Sequence, residues 1–349
     1  MIEDINLETI VRNPDLNNLF LSASLKDIND DCKILKSNFY LDSFNYFPVT
    51  SNYKTFKYLF KRQDNNSIEH FYSKNFFNDI KNNEKNFKNF KDRFILGSSP
   101  ADNYYSNLIH FLPRIFFNNE KKINLVIHRN LSNKFRNLIK VICELRGVEV
   151  NLNYLDDEFY IFNNSEIPQF FNIEKSVKIL QYFFLKILVD IKDLNYGKKI
   201  YIRRENANYR KILNEADLIE RLKNNGFQII NPNHFEIFDQ MKIFSSAELI
   251  IAPHGSNLSN IIFCNEGAKI YEIGPKLDKD YEVNILNRYR HLSNITKLKY
   301  TKIEADSVNV NKHSNIATKF ISQKILNESN YYKNIILKIN DIDNFINNL

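Results

Sequence analysis

The stretch Glu248-Leu249-Ile250-Ile251-Ala252-Pro253-His254-Gly255-Ser256-Asn257-Leu258-Ser259-Asn260-Ile261-Ile262 decides the fold. Glu248–Ala252 is an apolar run of strand length, and Pro253-His254-Gly255 turns the chain. Leu258, Ile261 and Ile262 then share one face of a short helix that Gly267 ends. A buried strand feeding a helix is half of a parallel β-α unit. Outward from it the alternation continues. Lys199–Arg203 reads as a strand, Asn214 caps a helix carrying Leu218, Ile219 and Leu222, and Gly226 ends that helix. Phe227–Ile230 is a strand, Ile237–Phe244 a helical face, and Lys269–Ile273 a strand ended by Gly274. Further upstream, strands at Arg93–Leu96, Ile123–Ile127 and Val148–Leu152 alternate with helices at Asn103–Asn118, Ser132–Arg146 and Ile173–Asp190. Two such blocks, separated by the polar stretch Lys192–Lys198, predict an α/β chain of two facing doubly wound, Rossmann-like domains with a cleft between them. The expected domains are 1–192, whose residues 1–92 form an irregular aromatic-rich extension, and 193–314; the tail 315–349 reads as helical and is expected to pack back on the first domain.

The bulk numbers agree with that outline. The chain has 349 residues, 43% hydrophobic and 26% charged, enough for two cores and too apolar for global disorder. A net charge of +7 favours anionic partners, but Lys and Arg are scattered among Asp and Glu without a dense basic block, which argues against nucleic acid. Cys32, Cys143 and Cys264 are too widely spaced and too few for a disulfide framework or a zinc site. Met1-Ile2-Glu3-Asp4 is acidic and no apolar signal segment follows it. The most apolar run, Ile179–Ile191, is interrupted by Gln181, Lys186 and Asp190, so no spanning helix of about 18 apolar residues is expected. A cytoplasmic setting follows. Abundant Asn, Lys and Ile beside 7 Gly and 0 Trp read as the codon bias of an AT-rich, bacterial genome. In a chain so poor in glycine, each glycine is expected where the backbone requires it.

Gly255 stands out because it follows the carboxyl end of a buried strand and precedes a helix. Ligands of open parallel sheets bind at those ends, and free N–H groups of a helix N-terminus favour anions. There Gly255 lets a phosphate approach, His254 donates to it, and Ser256 and Asn257 cap the helix or bind the anion. The same pattern also fits a plain turn with Ser256 as its N-cap. Arg203, Arg204 and Arg210, just past the Lys199–Arg203 strand, could clamp a diphosphate; they could equally be solvated surface charges. Glu272, at the end of the next strand, could accept both hydroxyls of a ribose or simply face solvent.

Taken in order, these segments resemble glycosyltransferase family 61, the family formerly called DUF563. The matching run is Tyr201-Ile202-Arg203-Arg204, Arg210, Asn214-Glu215, Gly226-Phe227, Ala247-Glu248, Pro253-His254-Gly255-Ser256-Asn257-Leu258-Ser259-Asn260, then Gly267 to Glu272. Asn257 replaces the family's second glycine and Ser259 its threonine. The family's Asn-Tyr-Tyr-His-x-Leu-x-Asp/Glu-x-Leu-Pro-Arg is met by Asn103-Tyr104-Tyr105-Ser106-Asn107-Leu108-Ile109-His110-Phe111-Leu112-Pro113-Arg114, with Ser106 at the usual His and His110 at the acidic position.

The resemblance implies a GT-B architecture and inverting transfer of a sugar from a nucleotide donor, UDP above all, to a glycan or lipid-linked acceptor. It further implies the bacterial branch that builds capsule or other surface polysaccharide, working at the inner face of the membrane with peripheral contact. On this reading Arg203, Arg204, Arg210, His254, Gly255, Ser256, Asn257, Asn260 and Glu272 hold the donor. His110 is the general base, with Asp102 as the alternative. Asp278 and Asp280 have Asp-x-Asp spacing but follow Gly274-Pro275 in a polar loop, so no metal and no cofactor are expected. A non-catalytic nucleotide-sugar-binding module and a GT-B-fold UDP-sugar epimerase are the rival readings.

Overall fold

Long aromatic strands and short aliphatic ones build different sheets in the two halves of the chain. A computed structural model describes residues 9–12, 32–43, 46–51, 57–60, 80, 82, 84–118, 120–189, 196–205, 207, 209–276, 280–309, 323–338 and 346. The chain divides into two compact units, 1–180 and 181–349. The expected division after residue 192 and much of the stretch 192–198 lie outside the described residues.

The first unit holds β1 (Thr9–Arg12), β2 (Cys32–Asp42), β3 (Phe47–Thr50), β4 (Lys88–Lys91), β5 (Phe94–Ile95), β6 (Lys122–His128), β7 (Glu149–Leu155) and β8 (Phe159–Pro168). Their main order is β1-β2-β8-β5-β6-β7, with β3 on β2 and β4 on β8. Strands β8, β5, β6 and β7 run parallel, as the alternating pattern requires. The rest corrects the expectation of a doubly wound parallel sheet, since β2 is antiparallel to β1, β3 and β8. That half is joined by aromatic cross-strand pairs: Phe39 lies opposite Phe162 with ring centroids 5.3 Å apart, and Phe90 stacks on Phe162 at 5.5 Å. So residues 1–92, expected to be irregular, contain the long strand β2. The helix expected at Asn103–Asn118 is a wide π-helical segment, Ser106–Phe111, followed by a tight 3-10 segment, Leu112–Phe117. Arg114 anchors it. Fully buried, it donates to the carbonyls of Leu96 and Pro168 and to the Tyr46 hydroxyl, with its guanidinium 4.1 Å from the Phe170 ring. Those two carbonyls follow β5 and end β8, and Tyr46 precedes β3, so Arg114 ties the parallel and antiparallel halves together.

The second unit holds β9 (Lys199–Ile202), β10 (Gln228–Ile230), β11 (Leu249–Pro253), β12 (Lys269–Pro275), β13 (Lys299–Val308) and β14 (Asn334–Ile336) in the order β10-β9-β11-β12-β13-β14. All neighbours are parallel except β14 on β13. The helices Glu215–Asn224, Ile237–Ser246 and Asp280–Ile295 and the 3-10 segment Ser256–Phe263 lie between successive strands. Asp280 therefore starts a helix, while Asp278 lies outside the described residues. The tail departs from a purely helical reading: after the helix Gln323–Glu328 it forms β14 at the sheet edge, with Ile335 fully buried. Asn214 precedes its helix as expected, but its side chain does not cap it; the amide exchanges hydrogen bonds with the backbone of Leu337 at 2.7 and 3.1 Å.

Candidate functional site

The strand order of the second sheet places the candidate site. From β9 the chain crosses to β10 on one side, then returns to β11 on the other, so the connections leaving β9 and β11 diverge. Outside the carboxyl ends of such a strand pair lies the usual ligand crevice of an open parallel sheet. Arg203-Arg204 follow β9 and His254-Gly255 follow β11, so two segments singled out in the sequence meet at this switch point.

Their contact is closer than spacing alone predicts. Gly255 has φ −174°, open to any residue, yet a Cβ there would lie 3.0 Å from Nε and 3.1 Å from Cδ of Arg204. The missing side chain thus makes room for the Arg204 guanidinium. Arg204 donates to the Tyr209 carbonyl at 2.8 Å. Burial, reinforced by the like charge of Arg210, lowers its pKa to about 10. Arg210 is itself buried, and its backbone is in the left-handed region at φ 58°. Its guanidinium lies 4.1 Å from the Tyr331 ring and 4.7 Å from the Tyr209 ring, and its Nε has no hydrogen-bond partner among the described residues. Among those residues neither Arg204 nor Arg210 has a carboxylate at ion-pair distance. Arg203 is different: it points to two carboxylates, Glu205 at 2.7 Å and Glu215 at 3.4 Å. Arg204 and Arg210 thus differ from Arg203, whose charge is already matched.

His254 is buried, with Nδ1 on Glu272 Oε1, Nε2 3.4 Å from the Tyr331 hydroxyl and its ring against Tyr289 at 5.1 Å. Burial, together with Arg210, Arg288, Arg204 and Lys302, holds the imidazole well below its ordinary range. Glu272 is 0% exposed, and its second oxygen accepts from the Tyr300 hydroxyl at 2.8 Å. Burial pushes this carboxyl up to about 8, against the opposing pull of Tyr300, Lys302, Arg210 and Arg288. Glu272 is thus not a surface carboxylate. Both oxygens are engaged, and it orients His254.

Ser256 and Asn257 are half-buried at the start of the Ser256–Phe263 segment, where no side chain caps the first N–H groups; Gly255, not Ser256, holds the N-cap position. Asn260 faces the interior: fully buried, it donates to Gln240 Oε1 at 3.1 Å. Tyr300 and Tyr331 were not found from the sequence, since neither lies in a turn, glycine or charge pattern.

In the first unit, His110 is half-buried on the π-helical segment, edge-on to Tyr105 with centroids 5.5 Å apart. Asp102, at φ 45°, accepts from the Asn107 amide at 2.9 Å and the Ser132 N–H at 3.2 Å. Burial raises its pKa, against the opposing pull of Ser132, Arg136 and Asn107. Asp102 therefore braces the start of the Asn133–Leu145 helix. Also unread in the sequence is His128 at the end of β6, whose Nε2 lies 2.9 Å from Asp157 while Nδ1 accepts from the Asn130 N–H.

A profile of the family described as Glycosyltransferase 61 matches residues 44–271. Among curated proteins, the EGF domain-specific O-linked N-acetylglucosamine transferases of Bos taurus and Pan troglodytes are each 29% identical to the chain over 80 residues. That stretch is 22% of this chain and only 15% of either relative's length.

Proposed function

Because the chain belongs to glycosyltransferase family 61, we propose that it moves a sugar from a nucleotide donor, UDP-linked, to a glycan or lipid-linked acceptor with inversion at the anomeric carbon. One observation supports the donor side above all. Arg204, half-buried, and Arg210, buried, have no carboxylate partner among the described residues and stand with the His254 imidazole at the switch point of a parallel sheet. Like charges gathered in a low-dielectric place are costly unless an anion joins them, and a diphosphate carries the matching charge.

In this reading the acceptor hydroxyl oxygen bonds the anomeric carbon from the face opposite the diphosphate. The carbon–oxygen bond to the diphosphate breaks, and its electron pair leaves on the diphosphate oxygen. Arg204, Arg210 and His254 stabilise that charge without requiring a metal. His110 takes the hydroxyl proton, in preference to Asp102, whose Oδ1 already holds Asn107 and Ser132. The GT-B arrangement and a surface-polysaccharide acceptor at the inner face of the membrane belong to the same proposal. A thermal-shift comparison of UDP, UDP-sugars, GDP and CMP tests it. Stabilisation by UDP and its sugars alone is expected, and no response to any of them overturns the reading.

A further inference from the structure

The segment Ser329–Leu337 lies beyond the stretch shared with the family, residues 44–271, yet it is bonded along the loop that carries Arg210. The Arg210 N–H donates to the Lys333 carbonyl at 3.0 Å, Leu213 N–H to Ile335 at 2.9 Å, and Ile335 N–H to Lys211 at 2.9 Å. Asn334 Oδ1 accepts from the Lys211 N–H at 3.0 Å. These bonds hold a non-glycine residue, Arg210, in the left-handed region, a conformation that costs energy and persists only where its surroundings enforce it.

Tyr331 is where the segment meets the site. Its carbonyl accepts from Arg210 Nη1 at 3.2 Å, its ring covers the guanidinium at 4.1 Å, and its hydroxyl faces His254 Nε2 at 3.4 Å. Its own N–H is fixed by Ser329 Oγ at 3.2 Å. A ring face attracts a guanidinium without neutralising it, whereas a carboxylate would cancel its charge for any incoming anion. With Tyr331 and Tyr209 against the guanidinium, Nε stays unbonded among the described residues. The hydroxyl, at the long limit of a hydrogen bond from Nε2, fixes where the His254 ring points.

We propose that Tyr331 is a positioning residue of the anion site, setting Arg210 and the His254 imidazole for a nucleotide diphosphate; this rests on the nucleotide-sugar reading. The test uses the full chain as wild type, Tyr331→Phe and Tyr331→Ala. It measures the ¹⁵N resonances of the His254 ring, assigned with His254→Asn, and the affinity for UDP by calorimetry. Tyr331→Phe keeps the ring and loses the hydroxyl. It should move the Nε2 resonance and weaken UDP about threefold to tenfold. Tyr331→Ala also loses the ring and should weaken UDP a further threefold or so. If the alanine variant does not fold, the phenylalanine variant decides. Unmoved His254 resonances, or UDP affinity within about twofold of wild type in Tyr331→Phe, overturn the proposal. Should wild type bind no UDP, the donor reading fails separately, and the Nε2 resonance alone then upholds or overturns the pairing of Tyr331 with His254.

Discussion

Glu272→Ala should destabilise the second unit strongly, while Glu272→Gln should not. Glu272 is fully buried between the His254 ring and the Tyr300 hydroxyl. Alanine leaves His254 Nδ1 buried and unpaired, at about 1–3 kcal/mol, removes the hydrogen bond of the half-buried Tyr300 hydroxyl, at about 0.5–1.5 kcal/mol, and adds a small cavity, for a total of about 2–5 kcal/mol. Glutamine keeps the volume. Its carbonyl accepts from Tyr300 and its amide donates to His254 Nδ1. Burial pushes the Glu272 carboxyl up to about 8, so at neutral pH the acid is largely protonated and the amide is a close mimic. The sign of the pH dependence follows. A carboxyl raised in the folded state contributes fully below its unfolded pKa and loses that contribution as pH rises through the folded value. Relative to wild type, Glu272→Gln should therefore gain stability from about 4.5 to about 8. The chain has 0 Trp, so equilibrium urea unfolding is best followed by far-ultraviolet circular dichroism, reading the transition that moves between variants. An alanine variant within about 1 kcal/mol of wild type would refute the reasoning, as would glutamine proving worse than alanine.

The coupled pair also predicts the pH dependence of binding. Below about 8, Glu272 and His254 together hold the proton that leaves Nε2–H free to donate; above it the pair gains negative charge. UDP affinity should then fall as pH rises through about 8, and a flat calorimetric profile across that value would remove His254 from the anion site. Gly255→Ala should leave stability within about 1 kcal/mol, because φ −174° suits any residue, but weaken UDP about threefold to tenfold by displacing Arg204. Unchanged affinity would show that Arg204 does not contact the donor. His110→Ala should slow sugar transfer by about 100-fold or more with UDP affinity within about twofold, so near-normal turnover eliminates it as the base.

Local chemistry made much of the second unit readable in advance. Strand runs such as Leu249–Ala252, the helical spacing of Leu218 and Leu222, and glycines following helices specify elements through contacts only a few residues apart. A buried strand opening into Gly255 was enough to mark a candidate site, and the family order of residues around it pointed to a nucleotide sugar. The first unit was harder. Strands β2 and β8 carry adjacent aromatics on opposite faces, Phe39-Tyr40 and Phe159-Tyr160, which blurs the period, and what joins them is a register between Phe39 and Phe162 far apart in the chain.

What tertiary structure decided was which charges face which. Arg203, Arg204 and Arg210 look alike as letters, but pairing with Glu205 and Glu215 satisfies the first and leaves the other two as a matched pair. Glu272 became the partner of His254, Asn260 became core, and Gly255 became the seat of Arg204 only once strands β9, β11 and β12 were aligned. Tyr331 entered from a tail with no motif of its own. Spacing along a chain specifies local conformation, whereas burial and electrostatic pairing arise from contacts between distant segments, and those exist only in the folded chain.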